Sequence, residues 1–352
     1  MKWVLGVLLL GFVLVFFYAL LFIRDEEFIL RQSFGNIQKE LEVSDVSRDQ
    51  IFDDSSWTAT LPAELTTSLL VTGDIIPARS VNSQVLRRQD FTWPYLFTSD
   101  ITKNADITFA DLETPLIKNC PVTNEGMIFC GDYRNIEGLV YAGVDVVTLG
   151  NNHAGNWGED GVIETLSHLQ NAGIKATGTT QNNLIIIEKN KTKFAFLGFN
   201  DISSPQPGVV SADFEKIKTD IATAREQADY VIVQFHWGAE YRDTPDSRQI
   251  ELGRFAVDHG ADLVIGNHPH WVQPLEIYNG KVITYAHGNY IFDQMWSLET
   301  REGVLGKYIF YKDKLVDIEF TPIQIDDYGQ AKIVDNAAQK EKILLKLQKS
   351  IQ

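Results

Sequence analysis

The sequence predicts an α/β fold, because two kinds of segment alternate along most of the chain. From residue 68 onward, short runs rich in β-branched and aromatic residues, typical of buried strands, are separated by stretches with apolar residues at helical spacing. The chain has 352 residues, of which 44% are hydrophobic and 22% charged, so it can bury a core of normal size.

The predicted elements fill a main domain at residues 68–325. Strands are predicted at 68–73, 106–110, 144–149, 230–235 and 262–265. Hairpins are predicted at 184–198, 275–286 and 307–320, and helices at 158–170, 213–228 and 248–259. In the second hairpin, the dipeptide Asn279-Gly280 indicates a type I′ turn.

An apolar run at the N-terminus predicts a membrane anchor. Residues 4–23 are almost all apolar, and about 20 such residues span a bilayer as a helix. Lys2 precedes the run, and acidic residues follow Arg24, so we expect a cytoplasmic N-terminus. The prediction is a single-pass helix at residues 1–23 in the cell membrane, with the main domain extracytoplasmic. The alternative is a cleaved signal peptide, although no small-x-small cleavage site follows the run.

Two further segments flank the main domain. Residues 24–67 are polar without a clear period and predict an extracytoplasmic stalk. Residues 326–352 predict a C-terminal helical tail, whose lysines and apolar residues suit packing on the domain, exposure to solvent or contact with an anionic membrane. Cys120 and Cys130 are expected to form a disulfide in an oxidising compartment; the alternative is two buried thiols.

The formal net charge of −16 argues against nucleic acid as a partner, because an acidic surface repels phosphate backbones. The same charge repels a polyanionic product, except where bound metal or basic groups invert the local field.

Residues able to bind metal follow the predicted strands. These residues are Asp74, Glu113, Asn151, Asn152, His153, His236, His268, His270, His287, Asn289 and Asp293. If the strands run parallel, their carboxyl ends share one edge, where ligands bind in α/β sheets. Carboxylates, amides and imidazoles together suit borderline divalent metals, so we predict a site for one or two ions. The alternative is that each residue only caps a turn or packs in the core.

Six ordered motifs carry a family resemblance. They are TGDIIPAR (72–79), DLETPL (111–116), TLGNNHAGNWG (148–158), QFHWGAEY (234–241), GNHPHWVQ (266–273) and YAHGNYIFDQ (285–294). Together they resemble the CapA-type capsule-synthesis, or poly-γ-glutamate synthesis, family, which is similar to calcineurin-type metallophosphoesterases.

This resemblance implies a four-layer α/β/β/α sandwich and a divalent metal site holding one or two ions of Mn, Fe or Zn. The implied metal ligands are Asp74, Glu113, Asn152, His236, His268 and His270. The implied catalytic residues are His153, as an acid or transition-state stabiliser, and Asn152.

The sequence departs from the family pattern at several positions. Ile76 stands where phosphoesterases have a histidine ligand, and Glu113 where they have aspartate. Asn156 and Asn267 stand where CapA-type sequences often have aspartate and histidine. His287 is an additional imidazole that we consider as a replacement ligand.

The leading functional hypothesis is a metal-dependent hydrolase or transferase acting on an anionic polymer or its precursor. Arg79, Trp237 and Tyr241 are then candidates to position the substrate, Arg79 by a bidentate contact; packing and surface ion pairs are the alternative roles. A second hypothesis is a non-catalytic subunit that binds the polymer or other capsule-synthesis membrane subunits and keeps a degenerate metal pocket. An unrelated phosphatase is the third.

Overall fold

The computed structural model describes residues 45–52, 57–202 and 205–351. The predicted anchor at residues 1–23 and the first part of the predicted stalk lie outside these ranges. Within them, no helix combines the length and the apolar character needed to cross a bilayer.

Strands account for most of the regular structure. Numbered in chain order over the described residues, they are β1 (Thr66–Ile75), β2 (Ile107–Leu112), β3 (Leu116–Ile117), β4 (Gly131–Asp132), β5 (Val146–Thr148), β6 (Lys175–Thr177), β7 (Ile185–Lys189), β8 (Thr192–Asn200), β9 (Tyr230–His236), β10 (Leu263–Asn267), β11 (Leu275–Tyr278), β12 (Lys281–Thr284), β13 (Asn289–Ile291), β14 (Glu302–Tyr311), β15 (Lys314–Asp326) and β16 (Gln330–Ile333).

These strands form two large sheets and a short β3–β4 pair. The first sheet has the order β16-β15-β14-β1-β2-β5-β6, with β13 also paired to β1, and the second has the order β11-β12-β10-β9-β8-β7. Strands β1, β2, β5 and β6 run parallel, and so do β8, β9, β10 and β12. The carboxyl ends of the central strands therefore share an edge in each sheet.

Most helices connect strands, while the first precedes β1 and the last follows β16. Over the same residues they are α1 (Arg48–Ile51), α2 (Arg79–Arg88), α3 (Ser99–Lys103), α4 (Ile136–Tyr141), α5 (Gly158–Asn171), α6 (Phe214–Arg225), α7 (Ser247–Asp258) and α8 (Ala337–Leu347). Helices α6 and α7 are capped at their N-termini by Asp213 and Asp246, whose carboxylates accept backbone N–H groups of the first turn.

Three apolar clusters hold the sheets and helices together. The first joins inward side chains of both sheets, including Phe109 and Phe196, whose ring centroids are 5.0 Å apart. The second packs the first sheet against α5, and the third packs the second sheet against α6 and α7. Burial of each large apolar side chain contributes about 1.5–3 kcal/mol. The predicted α/β class is confirmed.

Local sequence signals are matched most closely in the hairpins and helices. Tyr278 pairs with Lys281, and Asn279 and Gly280 have φ values of 49° and 76°, as the predicted type I′ turn requires. The helix predicted at 158–170 is α5. Helix α2, by contrast, was not among the predicted elements.

Residues beyond both predicted boundaries of the main domain pack into its core. Val46 and Ile51, from the predicted stalk, are buried in the cluster between the sheets. Ile343 and Leu347 of α8, from the predicted tail, are buried in the same cluster. Of the roles considered for the tail, this helix therefore packs on the domain.

The predicted disulfide is confirmed. Cys120 and Cys130 are bonded, with their Cα atoms 5.7 Å apart. The bond closes a loop between β3 and β4, which we call the disulfide loop (residues 120–130).

Candidate metal centre

Polar side chains gather where five parallel strands end. Strands β1, β2, β5, β9 and β10, or the loops directly after them, supply Asp74, Asp111, Glu113, Asn151, Asn152, His153, His236, Asn267, His268 and His270. All of these except Asn152 are buried. The group contains every residue that was predicted as a metal ligand.

Asp74 is positioned by a close approach of two backbone segments. Its N–H donates to the carbonyl of Gly288, and a Cβ on Gly73 would lie 2.0 Å from that oxygen, so glycine is required there. The Asp74 carboxylate accepts from Nδ2 of Asn267 at 2.7 Å, and its Oδ2 lies 2.9 Å from Nδ1 of His270. Burial alone would raise the pKa of Asp74, but the bond and charge of His270 lower it.

Asp111 orients His236 from the neighbouring sheet. Its Oδ2 lies 2.8 Å from Nδ1 of His236, and its Oδ1 accepts from the Asn151 side chain at 2.9 Å. A carboxylate behind an imidazole fixes the ring and raises its basicity, as is usual behind metal-binding histidines. Asp111 was missing from the predicted site. The sequence could have predicted it, because Asp111 and Glu113 are two residues apart in an extended segment and their side chains therefore point to the same face.

The Glu113 carboxylate is fully buried, and neither oxygen has a hydrogen-bond partner among the described residues. Its Oε1 lies 3.3 Å from Nε2 of His236, without the alignment of a hydrogen bond. The same His236 nitrogen lies 3.1 Å from Nδ1 of His268. A carboxylate and two imidazoles thus meet in one small volume.

This volume fits a divalent cation. Ligand atoms of Glu113, His236 and His268 lie within 4.8 Å of one another, as do those of Asp74, Asp111, Glu113 and His236. Mixed imidazole and carboxylate donors suit Zn²⁺, Mn²⁺ or Fe²⁺. The Glu113 carboxylate is the clearest sign of fit, because it is buried without a hydrogen bond among the described residues and has the His236 ring 3.3 Å away as its compensating partner.

The electrostatics of the pocket favour one positive charge at its centre. Burial alone would lower the pKa of His236, but the charges of Glu113 and Asp111 raise it to about 10. Burial and the charge of His236 hold the pKa of His268 well below its usual range. Burial raises the pKa of Glu113 to about 7. A cation bound here would replace the proton on His236.

His153 lies at the margin of the cluster, with its protonation fixed by its neighbours. Oδ1 of Asn156 accepts the backbone N–H of Phe129 at 2.7 Å and faces Nδ1 of His153 at 2.8 Å. Because that oxygen only accepts, Nδ1 carries the imidazole proton. Nε2 then offers a lone pair and lies 4.0 Å from Oε1 of Glu113. Burial lowers the pKa of His153 to about 4.

The two asparagines before His153 differ in their surroundings. Asn151 is fully hydrogen-bonded, because its Oδ1 accepts the N–H groups of His153 and Ala154 while its amide donates to Asp111. Asn152 is half-buried, and its Oδ1 has no hydrogen-bond partner in the described part of the chain. An unpartnered amide oxygen is consistent with the predicted ligand role of Asn152.

Arg79 lies at the mouth of the site, and its guanidinium contacts other groups of the protein. It pairs with Asp293, donates to the carbonyl of Gly126 at 3.2 Å, and packs between the rings of Phe129 and Phe292. Arg79 therefore ties the disulfide loop to Asp293, which differs from the predicted bidentate contact with substrate.

The two predicted aromatic residues have different locations. Tyr241 lines a cleft of about 340 Å³ beside the cluster, together with His153 and His270. Trp237 is fully buried on the other side of the second sheet, where its Nε1 donates to the carbonyl of Tyr285 at 2.9 Å. Trp237 is thus a core residue, and its predicted contact with substrate does not fit this position.

The departures from the family pattern also have clear positions. Ile76 is buried in a small apolar cluster with Phe129 and Phe292, so position 76 provides no ligand. His287 is buried with its Nε2 3.1 Å from the hydroxyl of Tyr308, away from the converging ligand atoms. It does not replace the missing histidine.

The chain is similar in sequence to known proteins. Residues 68–294 match the family described as Bacterial capsule synthesis protein PGA_cap. The chain is 32% identical to the PGA biosynthesis protein CapA of Bacillus subtilis (strain 168), covering 79% of this chain and 76% of that protein. It is 28% identical to the capsule biosynthesis protein CapA of Bacillus anthracis, covering 80% and 73%.

Two solved structures share the fold. A hypothetical protein from Thermus thermophilus has a TM-score of 0.51 at 18% identity, covering 74% of this chain and 100% of that one. A novel phosphatase from Mycoplasma pneumoniae has a TM-score of 0.51 at 15% identity, covering 74% and 95%. With the match over residues 68–294 and a relative at 32% identity, the chain belongs to the bacterial capsule synthesis protein PGA_cap family.

Proposed function

We propose that this protein is a metal-dependent hydrolase or transferase acting on an anionic polymer or its precursor in capsule or poly-γ-glutamate biosynthesis. The observation that carries the proposal is the Glu113 carboxylate, buried without a hydrogen bond among the described residues and placed beside His236 and His268. Removing one partner of a buried charge pair such as Glu113 and His236 costs about 3–5 kcal/mol. A cation bound at this point would take over the compensation that the His236 ring provides. The fold we propose is the four-layer sandwich of metallophosphoesterases.

Glu113, His236 and His268 would hold the ion, with Asn152 as a further candidate ligand. A divalent ion held there would supply Lewis-acid chemistry, polarising a phosphoryl or acyl oxygen and lowering the pKa of water toward about 7. Asp111 holds the His236 ring in the orientation needed for metal binding. The cleft lined by Tyr241 admits the substrate.

His153 would act first as a proton acceptor. Its Nδ1 proton is engaged by Asn156, so its Nε2 lone pair is the group presented toward Glu113. A neutral imidazole in this state takes a proton from the attacking water or hydroxyl and can then return it to the leaving group. This order differs from the predicted role of His153, which was an acid or a transition-state stabiliser.

We also propose that the protein is anchored in the cell membrane by residues 1–23, with its main domain extracytoplasmic. The apolar run at 4–23 supports the anchor. The Cys120–Cys130 disulfide supports the compartment, because disulfides persist in oxidising environments. Other capsule-synthesis membrane subunits are the proposed partners.

A non-catalytic, polymer-binding subunit is the second candidate. The apolar packing of Ile76 favours it, because a ligand expected for a full two-metal centre is absent at that position.

Activity measurements with and without metal separate the two functions. Purified full-length protein, stripped with chelator and reloaded with Mn²⁺ or Zn²⁺, would be assayed on p-nitrophenyl phosphodiesters and γ-linked glutamate oligomers. We expect metal-dependent turnover that falls at least about 100-fold in His268→Ala. His259→Gln, directly after α7 and outside the metal-ligand groups, is the matched control. Turnover that survives both chelation and His268→Ala would contradict the proposal, and a metal-bound protein without turnover would favour the subunit.

A further inference from the structure

A second group of ligand atoms lies beside the first. The Glu240 carboxylate and the ring nitrogens of His268 and His270 are all within 4.8 Å of one another. Glu240 comes from the loop after β9, and it is half-buried at the cleft. None of the predicted ligands lies in this loop, since His236 is the last residue of β9 itself.

The backbone holds Glu240 opposite the two histidines. The N–H of Tyr241 donates to the carbonyl of Pro269 at 2.9 Å, which ties the two segments together. Tyr241, His268 and His270 have φ values of 61°, 97° and 57°, a region that non-glycine residues seldom adopt. Such strain persists only where surrounding structure enforces it, and it concentrates at functional sites.

Side-chain hydrogen bonds of Gln249 and Gln273 support the loop that carries Glu240. Gln249 donates to Oε1 of Gln273 at 2.9 Å, and Gln273 donates to the carbonyls of Arg242 and Thr244. A Cβ at Gly238 would lie 2.4 Å from the Gln249 side chain, so the loop packs directly on this network. Glu240 is therefore presented on a rigid support, as a ligand position requires.

His270 is oriented in the same way as His236. Asp111 stands behind His236, and Asp74 stands behind His270, in each case through Nδ1 of the imidazole. With Nδ1 engaged by a carboxylate, Nε2 of His270 is the nitrogen left to bind a cation. The site thus contains two carboxylate-backed histidines.

Because each imidazole has a single lone pair, the ligands divide between two cation positions. A neutral imidazole offers one lone pair, so His268 serves one cation at a time. If His268 joins Glu113 and His236 at an inner position, Glu240 and His270 are left to hold a neighbouring one.

We propose that Glu240 and His270 hold a second divalent cation at an outer position, next to the inner position of Glu113, His236 and His268. Glu240 thereby supplies the ligand that Ile76 does not. This inference rests on the proposed metal centre, and it adds a residue outside the predicted ligand set. With fewer protein ligands, the outer position is the weaker of the two.

The test is metal stoichiometry and affinity. Full-length protein stripped with chelator would be titrated calorimetrically with Mn²⁺, and bound metal would be counted by elemental analysis after desalting. The variants are Glu240→Gln and Glu240→Ala. Glu251→Gln, an exposed carboxylate on α7, is the control. Circular dichroism and the unfolding midpoint show whether each variant is folded. If Glu240→Ala does not fold, the result for Glu240→Gln tests the inference.

We expect two binding events in the wild type and in Glu251→Gln. In the Glu240 variants, the weaker event should be lost or weakened at least about tenfold, while the tighter one stays within about twofold. Two unchanged events in folded Glu240 variants would overturn the inference, as would a wild type that binds one ion or a folded variant that loses both. A wild type that binds no Mn²⁺ or Zn²⁺ would overturn the proposed centre itself.

Discussion

Nδ1 of His236 lies 2.8 Å from Oδ2 of Asp111, and both side chains are fully buried between the two sheets. The contact directs the other imidazole nitrogen toward Glu113 and His268. Asp111 is therefore a positioning residue for the inner cation.

Substitution of Asp111 by Asn should weaken metal binding by about 10–100-fold, because the neutral amide neither holds nor polarises the imidazole as a carboxylate does. Competition with a coloured chelator measures the affinity directly. Asp258→Asn, an exposed carboxylate at the end of α7, should bind as the wild type does. An Asp111→Asn protein with unchanged affinity would contradict this role.

Metal binding at pH 7.5 should release about one proton per inner ion. The pKa of His236 is raised to about 10 by Glu113 and Asp111, so the metal-free ring is protonated below that pH. The ion needs the lone pair that this proton occupies, so affinity should rise with pH, by up to about tenfold per pH unit. Calorimetry in buffers of different ionisation enthalpy counts the protons. Heats independent of the buffer would contradict the prediction.

Asn156→Asp should raise the pKa of His153. Burial now lowers it to about 4, and the neutral Asn156 amide offers no opposing charge. A carboxylate at 156 favours the charged ring, which typically adds about 1–3 pKa units. NMR titration of the imidazole in metal-free protein gives the value. An unchanged or lower pKa would mean that Asn156 does not control the state of His153.

Replacement of Cys120 and Cys130 by serine should cost about 3 kcal/mol of unfolding free energy, because the bond closes a loop of about ten residues. Urea denaturation of the double variant measures the loss, and reduced wild type should match it. The disulfide loop should also become more sensitive to protease. Equal midpoints for oxidised and reduced wild type would contradict a stabilising role.

Much of the candidate site was predictable because parallel strands align their carboxyl ends. Asp74, Glu113, His236 and His268 each lie at or directly after the end of a recognisable buried run. The prediction of a single shared edge was wrong, because Asp74 and Glu113 belong to the first sheet and His236 and His268 to the second, and the strand ends of the two sheets meet at the site. The family resemblance selected the same residues.

Other features depended on which way a side chain faces. His236 and Trp237 are adjacent in an extended segment, so they face opposite sides of the sheet. Once His236 points to the site, Trp237 must lie in the outer cluster, where it is found. Asp111 and Glu113 share a face for the same reason.

Still other features arise only from contacts distant in sequence. Glu240 meets His270 through a loop bond from Tyr241 to Pro269, and no local pattern predicts it. Helix α2 was not predicted, because its sequence RSVNSQVLRR shows only Val81 and Val85 as an apolar pair on one face.

The most direct test of the metal centre is X-ray diffraction at the zinc absorption edge, on crystals of full-length protein grown with Zn²⁺. The account predicts an anomalous peak about 2.0–2.2 Å from Glu113, His236 and His268 ligand atoms. Crystals that show no peak there, with the Glu113 carboxylate hydrogen-bonded to protein groups instead, would contradict it.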